Sequence, residues 1–170
     1  MTAGLENGAY AILVKQPSLS YLSFPPVTFS PGRAEVDVVL PEGSLSASSG
    51  AYGLICRYQK NAGKYYVVYI RPWTEEFAIF RVENNTPAPL TDPPLQALQG
   101  LKAAGQPNRV GLACQDNQVT LTLNGAQQAQ LSDPQMAQFG AGQLGLMVST
   151  FEQVPAGGFK VLFDNASFWP

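Results

Sequence analysis

The sequence predicts an all-β protein in which two antiparallel sheets pack face to face as a sandwich. Short runs rich in Val, Ile, Tyr and Phe recur along the 170 residues, separated by turn residues at hairpin spacing. No segment has the apolar spacing of an amphipathic helix. Only 13% of the residues are charged, so Ser, Thr, Asn, Gln, Gly and Pro must cover the surface, as in a β-protein with many turns.

The clearest element is the central segment Gly50–Glu83, whose apolar runs predict three consecutive antiparallel strands. Asn61-Ala62-Gly63 forms the first break and Pro72-Trp73 precedes the third run, and both breaks carry turn residues. The strands are expected at Tyr52–Gln59, Lys64–Arg71 and Phe77–Glu83. We expect the rest of the chain to pack around them.

The N-terminal third contains two further predicted strands. Gly8–Lys15 is apolar, and Arg33–Leu40 alternates between apolar and charged residues, which is typical of a half-buried strand. Between them, Pro17–Pro31 is predicted to be irregular because its prolines cannot donate to a strand ladder. Its aromatic residues, expected to fold over a sheet edge, are Tyr21, Phe24 and Phe29. Pro41–Ser49 is a predicted loop of small residues.

The longest segment without a strand pattern is Asn84–Pro107, which contains five prolines. A loop of this length in a compact domain often serves as a lid or a binding rim. Within it, Leu95–Leu101 is predicted to form a turn or two of helix.

The C-terminal part returns to strands and hairpins. Asn124-Gly125 predicts a type I′ turn, which needs positive φ at both central residues. Asp133–Gly142 is predicted to be a loop that holds Met136 and Phe139. The strands are expected at Arg109–Gln115, Val119–Leu123, Ala126–Leu131, Gln143–Thr150 and Phe159–Phe168.

The composition excludes several classes of function. The chain has no histidine, which excludes Ser-His-Asp and Cys-His catalysis and any His-ligated metal. A net charge of −2 gives no reason to expect nucleic acid as a partner. No apolar run approaches the roughly 20 residues of a membrane helix. We expect one domain over residues 1–170, with carboxylate chemistry, an oxygen-ligated cation or no catalysis.

Several short motifs occur in an order that resembles the concanavalin A-like lectin/glucanase superfamily, and within it the bacterial laminin-G-like jelly-roll domains grouped with the 3-keto-disaccharide hydrolases. They are Tyr52-Gly53-Leu54-Ile55-Cys56-Arg57-Tyr58-Gln59, Tyr65-Tyr66, Asn108-Arg109-Val110 with Cys114, Leu123-Asn124-Gly125, Gly142-Gln143-Leu144-Gly145-Leu146 and Phe163-Asp164-Asn165. The resemblance runs from Glu6 to Phe168. It implies a jelly roll of two curved sheets in an extracytoplasmic module of a longer parent chain, with the signal or anchor outside this sequence.

The resemblance places the strands of Cys56 and Cys114 near each other. Both residues alternate with apolar neighbours, so both thiols point to an apolar side. One interpretation is a disulfide between two strands, which favours a setting outside the cytosol. The other is a pair of buried free thiols that pack as small apolar groups.

A catalytic site is not predicted. Family 16 glycoside hydrolases of this superfamily carry Glu-x-Asp-x-x-Glu on one strand, which supplies a pair of carboxylates. Here Glu35 and Asp37 match its start, but Leu40 occupies the position of the second glutamate. A solvated strand face therefore explains Glu35 and Asp37 better.

A ligand site is predicted on the face of the central strands opposite the cysteines. This face collects aromatic rings, which stack on the apolar face of a sugar, and guanidinium groups, which bind hydroxyls. We interpret it as a glycan groove on the concave sheet, centred on Arg57. The alternative is that Pro-rich loops cover the face and bury its tyrosines. The predicted ligand-binding residues are Arg57, Tyr65, Tyr69, Arg71 and Trp73.

No metal site or cofactor is predicted. Superfamily relatives often hold a structural calcium, but no Asp-x-Asp-x-Asp spacing occurs here. The oxygen ligands considered are Glu75, Glu76, Asp92, Asp133 and Asp164, the last of which is expected to cap a turn or to bond backbone groups.

Three hypotheses of function remain. The first is a non-catalytic module that binds carbohydrate or another surface ligand. The second is a structural or protein-interaction module of a larger envelope protein. The third is a glycoside-cleaving enzyme that uses Glu35, Asp37, Glu75 or Glu76.

Overall fold

A computed structural model describes residues 1–29, 32–44 and 50–170, with no side-chain description for Phe29. Positions 30, 31 and 45–49, at the end of the predicted irregular segment and in the predicted small-residue loop, lie outside the described residues. Two short 3₁₀ helices are formed by Lys60–Ala62 and Pro134–Phe139. The strands are β1 Thr2–Glu6, β2 Ala9–Val14, β3 Ser20–Ser23, β4 Thr28–Phe29, β5 Gly32–Val39, β6 Gly50–Gln59, β7 Lys64–Arg71, β8 Glu76–Glu83, β9 Thr86–Pro89, β10 Gln96–Ala97, β11 Asn108–Gln115, β12 Gln118–Leu123, β13 Ala126–Ser132, β14 Gly142–Thr150 and β15 Phe159–Trp169.

The strands form two antiparallel sheets. Sheet 1 has the order β1-β2-β15-β5-β11-β12-β13. Sheet 2 has the order β10-β8-β7-β6-β14-β3, with β4 also paired to β14 and β9 paired to β8. The predicted Asn124-Gly125 hairpin joins β12 to β13 with positive φ at both residues, 50° and 83°.

The main core lies between the sheets. Successive side chains of a strand point to opposite faces, so every second residue enters the core. Sheet 1 contributes Val36, Val110 and Leu121, and sheet 2 contributes Tyr52 and Ile79. All of them are almost completely buried.

The structure confirms the predicted fold, a jelly-roll sandwich of two antiparallel sheets. The strand predicted at Lys64–Arg71 has the same bounds in the structure. The prediction of helical turns at Leu95–Leu101 is wrong, because Gln96–Ala97 forms a short strand that pairs with the first two residues of β8. The segment predicted as irregular contains β3 and β4, both paired with β14, and strand β1 was not predicted.

Within the described ranges, neither 3₁₀ helix is long enough to cross a membrane.

Candidate functional site

The outer face of sheet 2 carries a second apolar cluster, separate from the main core. It follows from alternation, since the residues between the core-facing positions of β6, β7, β8 and β14 are also apolar. We call it the outer cluster. Its buried members are Ile55, Val67, Val82 and Met147, and Leu22, Phe24, Tyr58, Tyr65, Tyr69 and Phe80 pack against them.

One end of the outer cluster is closed by its own rings. Phe24 stacks on Tyr58 with centroids 4.0 Å apart, and Tyr58 lies 5.6 Å from Tyr65. The Phe24 ring also covers Gly145, where a Cβ atom would collide with it. The rings at this end are therefore already occupied by contacts with one another.

The other end is open as a pocket of about 450 Å³, which we call the aromatic pocket. Tyr69 and Phe80 form its floor, with their rings 5.5 Å apart and nearly perpendicular. The full lining is Tyr69, Arg71, Ala78, Phe80, Pro87, Leu95 and Phe151. Two of these residues, Pro87 and Leu95, belong to the long segment predicted to serve as a lid or a binding rim.

Arg71 is held at the end of the aromatic pocket by three neighbours. Its guanidinium lies 4.4 Å from the centroid of Trp73 and 5.5 Å from that of Phe151. Its Nη1 donates to Glu76 Oε2 at 3.3 Å, while the buried Nε has no hydrogen-bond partner among the described residues. Stacking and the ion pair hold the guanidinium in one orientation, so its N–H donors have a fixed direction relative to a ligand.

A second cavity of about 230 Å³ lies on the other side of residues that line the aromatic pocket. Arg71 and Phe151 line both spaces, and Trp73 lines the second. The Trp73 ring is fixed because its Nε1 donates to the carbonyl of Gly50 at 3.3 Å.

Burial raises the pKa of Tyr69 above its ordinary value. Burial, followed by the neighbouring Tyr69 and Tyr58, does the same for Tyr65. Both phenols therefore stay protonated through the physiological pH range and remain neutral hydrogen-bonding groups.

The predicted orientation of Arg57 is wrong. Alternation alone would place its side chain on the outer face, next to Ile55. A bulge in β6 between Cys56 and Gln59 interrupts the alternation, and Arg57 has φ of 53°. Its Nη1 donates to the carbonyl of Gly140 at 2.8 Å and its Nη2 to the carbonyl of Cys114, on sheet 1, at 3.3 Å.

The side chain of Arg57 is thus directed toward sheet 1, and the residue is only 9% exposed. It does not line the aromatic pocket. Two of the predicted ligand-binding residues, Tyr69 and Arg71, do line it, and a third, Trp73, stacks with Arg71 and lines the adjoining cavity. Tyr65 shares their face but lies among the stacked rings at the closed end.

The predicted disulfide is confirmed. Cys56 of sheet 2 is bonded to Cys114 of sheet 1, with their Cα atoms 6.4 Å apart. Both residues are fully buried in the main core. The bond therefore ties the two sheets directly.

The two carboxylates of the interrupted glycosidase motif, Glu35 and Asp37, form ion pairs on the outer face of sheet 1. Arg109 reaches Glu35 and Asp37, with both nitrogen–oxygen distances 3.3 Å. Arg33 also bonds Glu35, and this contact is the main reason why the pKa of Glu35 is lowered. Leu40 is buried in the main core.

The acidic residues considered as metal ligands are dispersed. Asp133 accepts hydrogen bonds from Tyr66 and Arg81, each at 2.9 Å. Asp164 accepts from the backbone N–H of Asn165, but it lies inside β15 and not at a turn. In the part of the chain that the structure describes, no three Cys, Asp or Glu side chains are grouped to hold a metal ion.

Two important rings of the aromatic pocket were not predicted. Phe80 was recoverable from alternation, because it pairs with Val67 and points to the same face. Phe151 follows β14 in a segment without a strand pattern, and only the packing of that segment brings it over Arg71.

No protein-family model matches the chain, and no curated protein sequence matches it. Solved structures do share its fold. The carbohydrate-binding module CBM66 from Bacillus subtilis is 15% identical, with a TM-score of 0.75 over 99% of this chain and 91% of that chain.

Two further solved structures are similar over most of the chain. A Bacillus subtilis protein of unknown function with a galectin-like fold is 12% identical, with a TM-score of 0.69 over 98% of this chain and 85% of that chain. Sheep galectin-11 is 8% identical, with a TM-score of 0.54 over 92% of this chain and all of that chain. At these identities the likeness establishes architecture, and the chain has the jelly-roll sandwich fold of lectin-like proteins.

Proposed function

We propose that this protein is a non-catalytic carbohydrate-binding module and that its site is the aromatic pocket. The observation that carries the proposal is the arrangement of Tyr69, Phe80 and Phe151 around an open space of about 450 Å³ that ends at Arg71. Pockets of this volume are typical of small-molecule sites.

The chemistry of the lining suits a sugar. A pyranose ring has an apolar C–H face that packs against aromatic rings and a rim of hydroxyls that needs polar partners. Arg71 supplies donors, and the protonated phenol of Tyr69 can donate or accept. The structural likeness to a carbohydrate-binding module and to galectins supports the same class of ligand.

Binding is favoured over hydrolysis because three of the four carboxylates considered for catalysis form ion pairs with arginines. Hydrolysis of a glycoside uses two carboxyl groups on either side of the scissile bond. Glu76 is bonded to Arg71, and Glu35 and Asp37 are bonded to Arg109 on the other sheet.

We further propose that the module works outside the cytosol as part of a longer parent chain. The buried Cys56–Cys114 bond supports this setting, because disulfides persist where the surroundings are oxidising. The resemblance to the bacterial laminin-G-like domains grouped with the 3-keto-disaccharide hydrolases remains the basis for placing the chain in that subfamily.

The test is a glycan array with the folded protein, followed by titration calorimetry on the best glycan. Tyr69→Leu and Arg71→Met are each expected to weaken binding at least about tenfold, which corresponds to about 1.4 kcal/mol. Tyr58→Leu is the matched control, because Tyr58 lies on the same face but outside the pocket lining.

Equal losses in Tyr58→Leu and Tyr69→Leu would contradict the assignment of the site. A folded protein that bound no glycan on the array would contradict the function itself and leave the interaction-module hypothesis.

A further inference from the structure

A polar groove of about 250 Å³ crosses the outer face of sheet 1, on the opposite side of the sandwich from the aromatic pocket. We call it the polar groove. Its lining is Arg33, Gly111, Leu112, Ala113, Gln115, Thr120 and Thr122.

The register of three strands explains why a groove exists there. On the central strand β11, Ala113 lies between Arg33 of β5 and Thr120 of β12. In the next outward-facing row, Gly111 pairs with Thr122 of β12 and with Glu35 of β5. At Gly111 the side chains of Thr122 and Glu35 lean over the backbone, so that an added Cβ atom would collide with Thr122 Oγ1. The small side chain that leaves the floor of the groove open is therefore Ala113, between the taller side chains of Arg33 and Thr120.

The wall on β5 is held in position by several contacts. The guanidinium of Arg33 lies 5.1 Å from the centroid of the Trp169 ring and bonds Glu35. Glu35 is bonded in turn to Arg109, which also donates to the carbonyl of Asn165 at 2.8 Å. Even so, the Arg33 side chain remains 53% exposed and Trp169 40% exposed, so both are accessible to a ligand.

The charges beside the groove indicate which ligand fits. Two arginines, Arg33 and Arg109, are balanced by two carboxylates, Glu35 and Asp37. An anionic ligand would gain little from this balanced set. A neutral ligand rich in hydroxyl groups can accept from Arg33, and the hydroxyls of Thr120 and Thr122 in the lining can donate or accept.

We propose that the polar groove is a second glycan subsite that binds one neutral pyranose unit. Its volume is below the range of about 300–1,000 Å³ typical of drug-sized ligands, which suits a single ring rather than a longer chain. The subsite is independent of the aromatic pocket, and the two together make the module divalent, with sugar sites on opposite faces.

The two tryptophans of the chain report the two sites separately. Trp73 borders the cavity next to the aromatic pocket, and Trp169 stacks with Arg33 beside the polar groove. An amide–nitrogen correlation NMR spectrum therefore contains two indole N–H signals, which Trp73→Phe and Trp169→Phe assign. The probes are the methyl pyranosides of D-glucose, D-galactose and D-mannose at millimolar concentrations.

We expect at least one probe to shift the Trp169 signal saturably. Ala113→Leu fills the groove without removing a polar group and should abolish that shift, as should Arg33→Met. Thr2→Val changes an exposed residue on the edge strand of the same sheet and should leave it unchanged.

The proposal is overturned if none of the three probes moves the Trp169 signal, or if the shift persists in Ala113→Leu. A Trp73 signal that stays unchanged while the Trp169 signal shifts would count against the aromatic pocket only, so the two proposals fail separately.

Discussion

Removing the bond between Cys56 and Cys114 is expected to lower the free energy of unfolding by about 4 kcal/mol. The bond closes a loop with a sequence separation of 58 residues, and the chain-entropy relation gives about that value for the added freedom of the unfolded chain. In Cys56→Ala/Cys114→Ala, the loss of two buried sulfur atoms adds about 1 kcal/mol per site. The total is comparable with the stability of many domains, which is about 5–15 kcal/mol.

Urea unfolding followed by tryptophan fluorescence measures the effect. The parent protein is compared with and without a thiol reductant, since reduction removes the cross-link but keeps both sulfur atoms. The alanine double variant is the control, and its unfolding midpoint should not respond to the reductant. If complete reduction, verified by thiol counting, changed the unfolding free energy of the parent by less than about 1 kcal/mol, the proposed constraint between the sheets would be refuted.

Two other side chains give predictions of their own. Burial alone would raise the pKa of Asp133, but hydrogen bonds from Arg81, the N–H of Gln135 and Tyr66 outweigh it and lower that pKa. The contribution of Asp133 to stability is therefore complete above its unfolded pKa of about 3.9 and is lost as the pH falls through the folded pKa. Asp133→Asn should cost about 1.5–3 kcal/mol at pH 7 and flatten the acid limb of a plot of melting temperature against pH; an unchanged acid limb would contradict this account. Arg57→Met removes two hydrogen bonds from a charged group and should destabilise by about 2–4 kcal/mol in denaturant melts, while calorimetry finds glycan affinity within about twofold of the parent. If Arg57→Met lost glycan affinity without losing stability, the assignment of Arg57 to a structural role would be wrong.

Strand positions were predictable because alternation and turn residues agree over most of the chain. Lys64–Arg71 shows this most clearly, since turn residues precede and follow it and its apolar side chains are buried on both faces of sheet 2. Strand β1 was missed because all five of its residues are exposed, so no burial pattern marks it. The helical interpretation of Leu95–Leu101 failed because pairing with the edge of β8 outweighs the local preference of a short segment.

The candidate site was predictable in part for the same reason. Tyr69 and Arg71 share a face by simple alternation along β7, and the turn that follows brings Trp73 beside Arg71. Arg57 was misplaced because its bulge has no sequence signal. Positive φ is uncommon for a residue other than glycine. Most other residues with positive φ in this chain are Asn or Gly, whereas Arg57 lies between Cys56 and Tyr58, so its sequence does not indicate a bulge.

The bulge in β6 has a consequence for the permitted length of this strand. Cys56 pairs with Tyr66 before the bulge and Gln59 with Lys64 after it, so one residue is in excess on β6. A chain shortened by Arg57 could pair continuously across this stretch and still present Tyr58 on its present face. Natural variants of this fold can therefore lose a residue here without reassigning the remaining side chains, and the loss would remove the link between the layers while leaving the outer cluster unchanged.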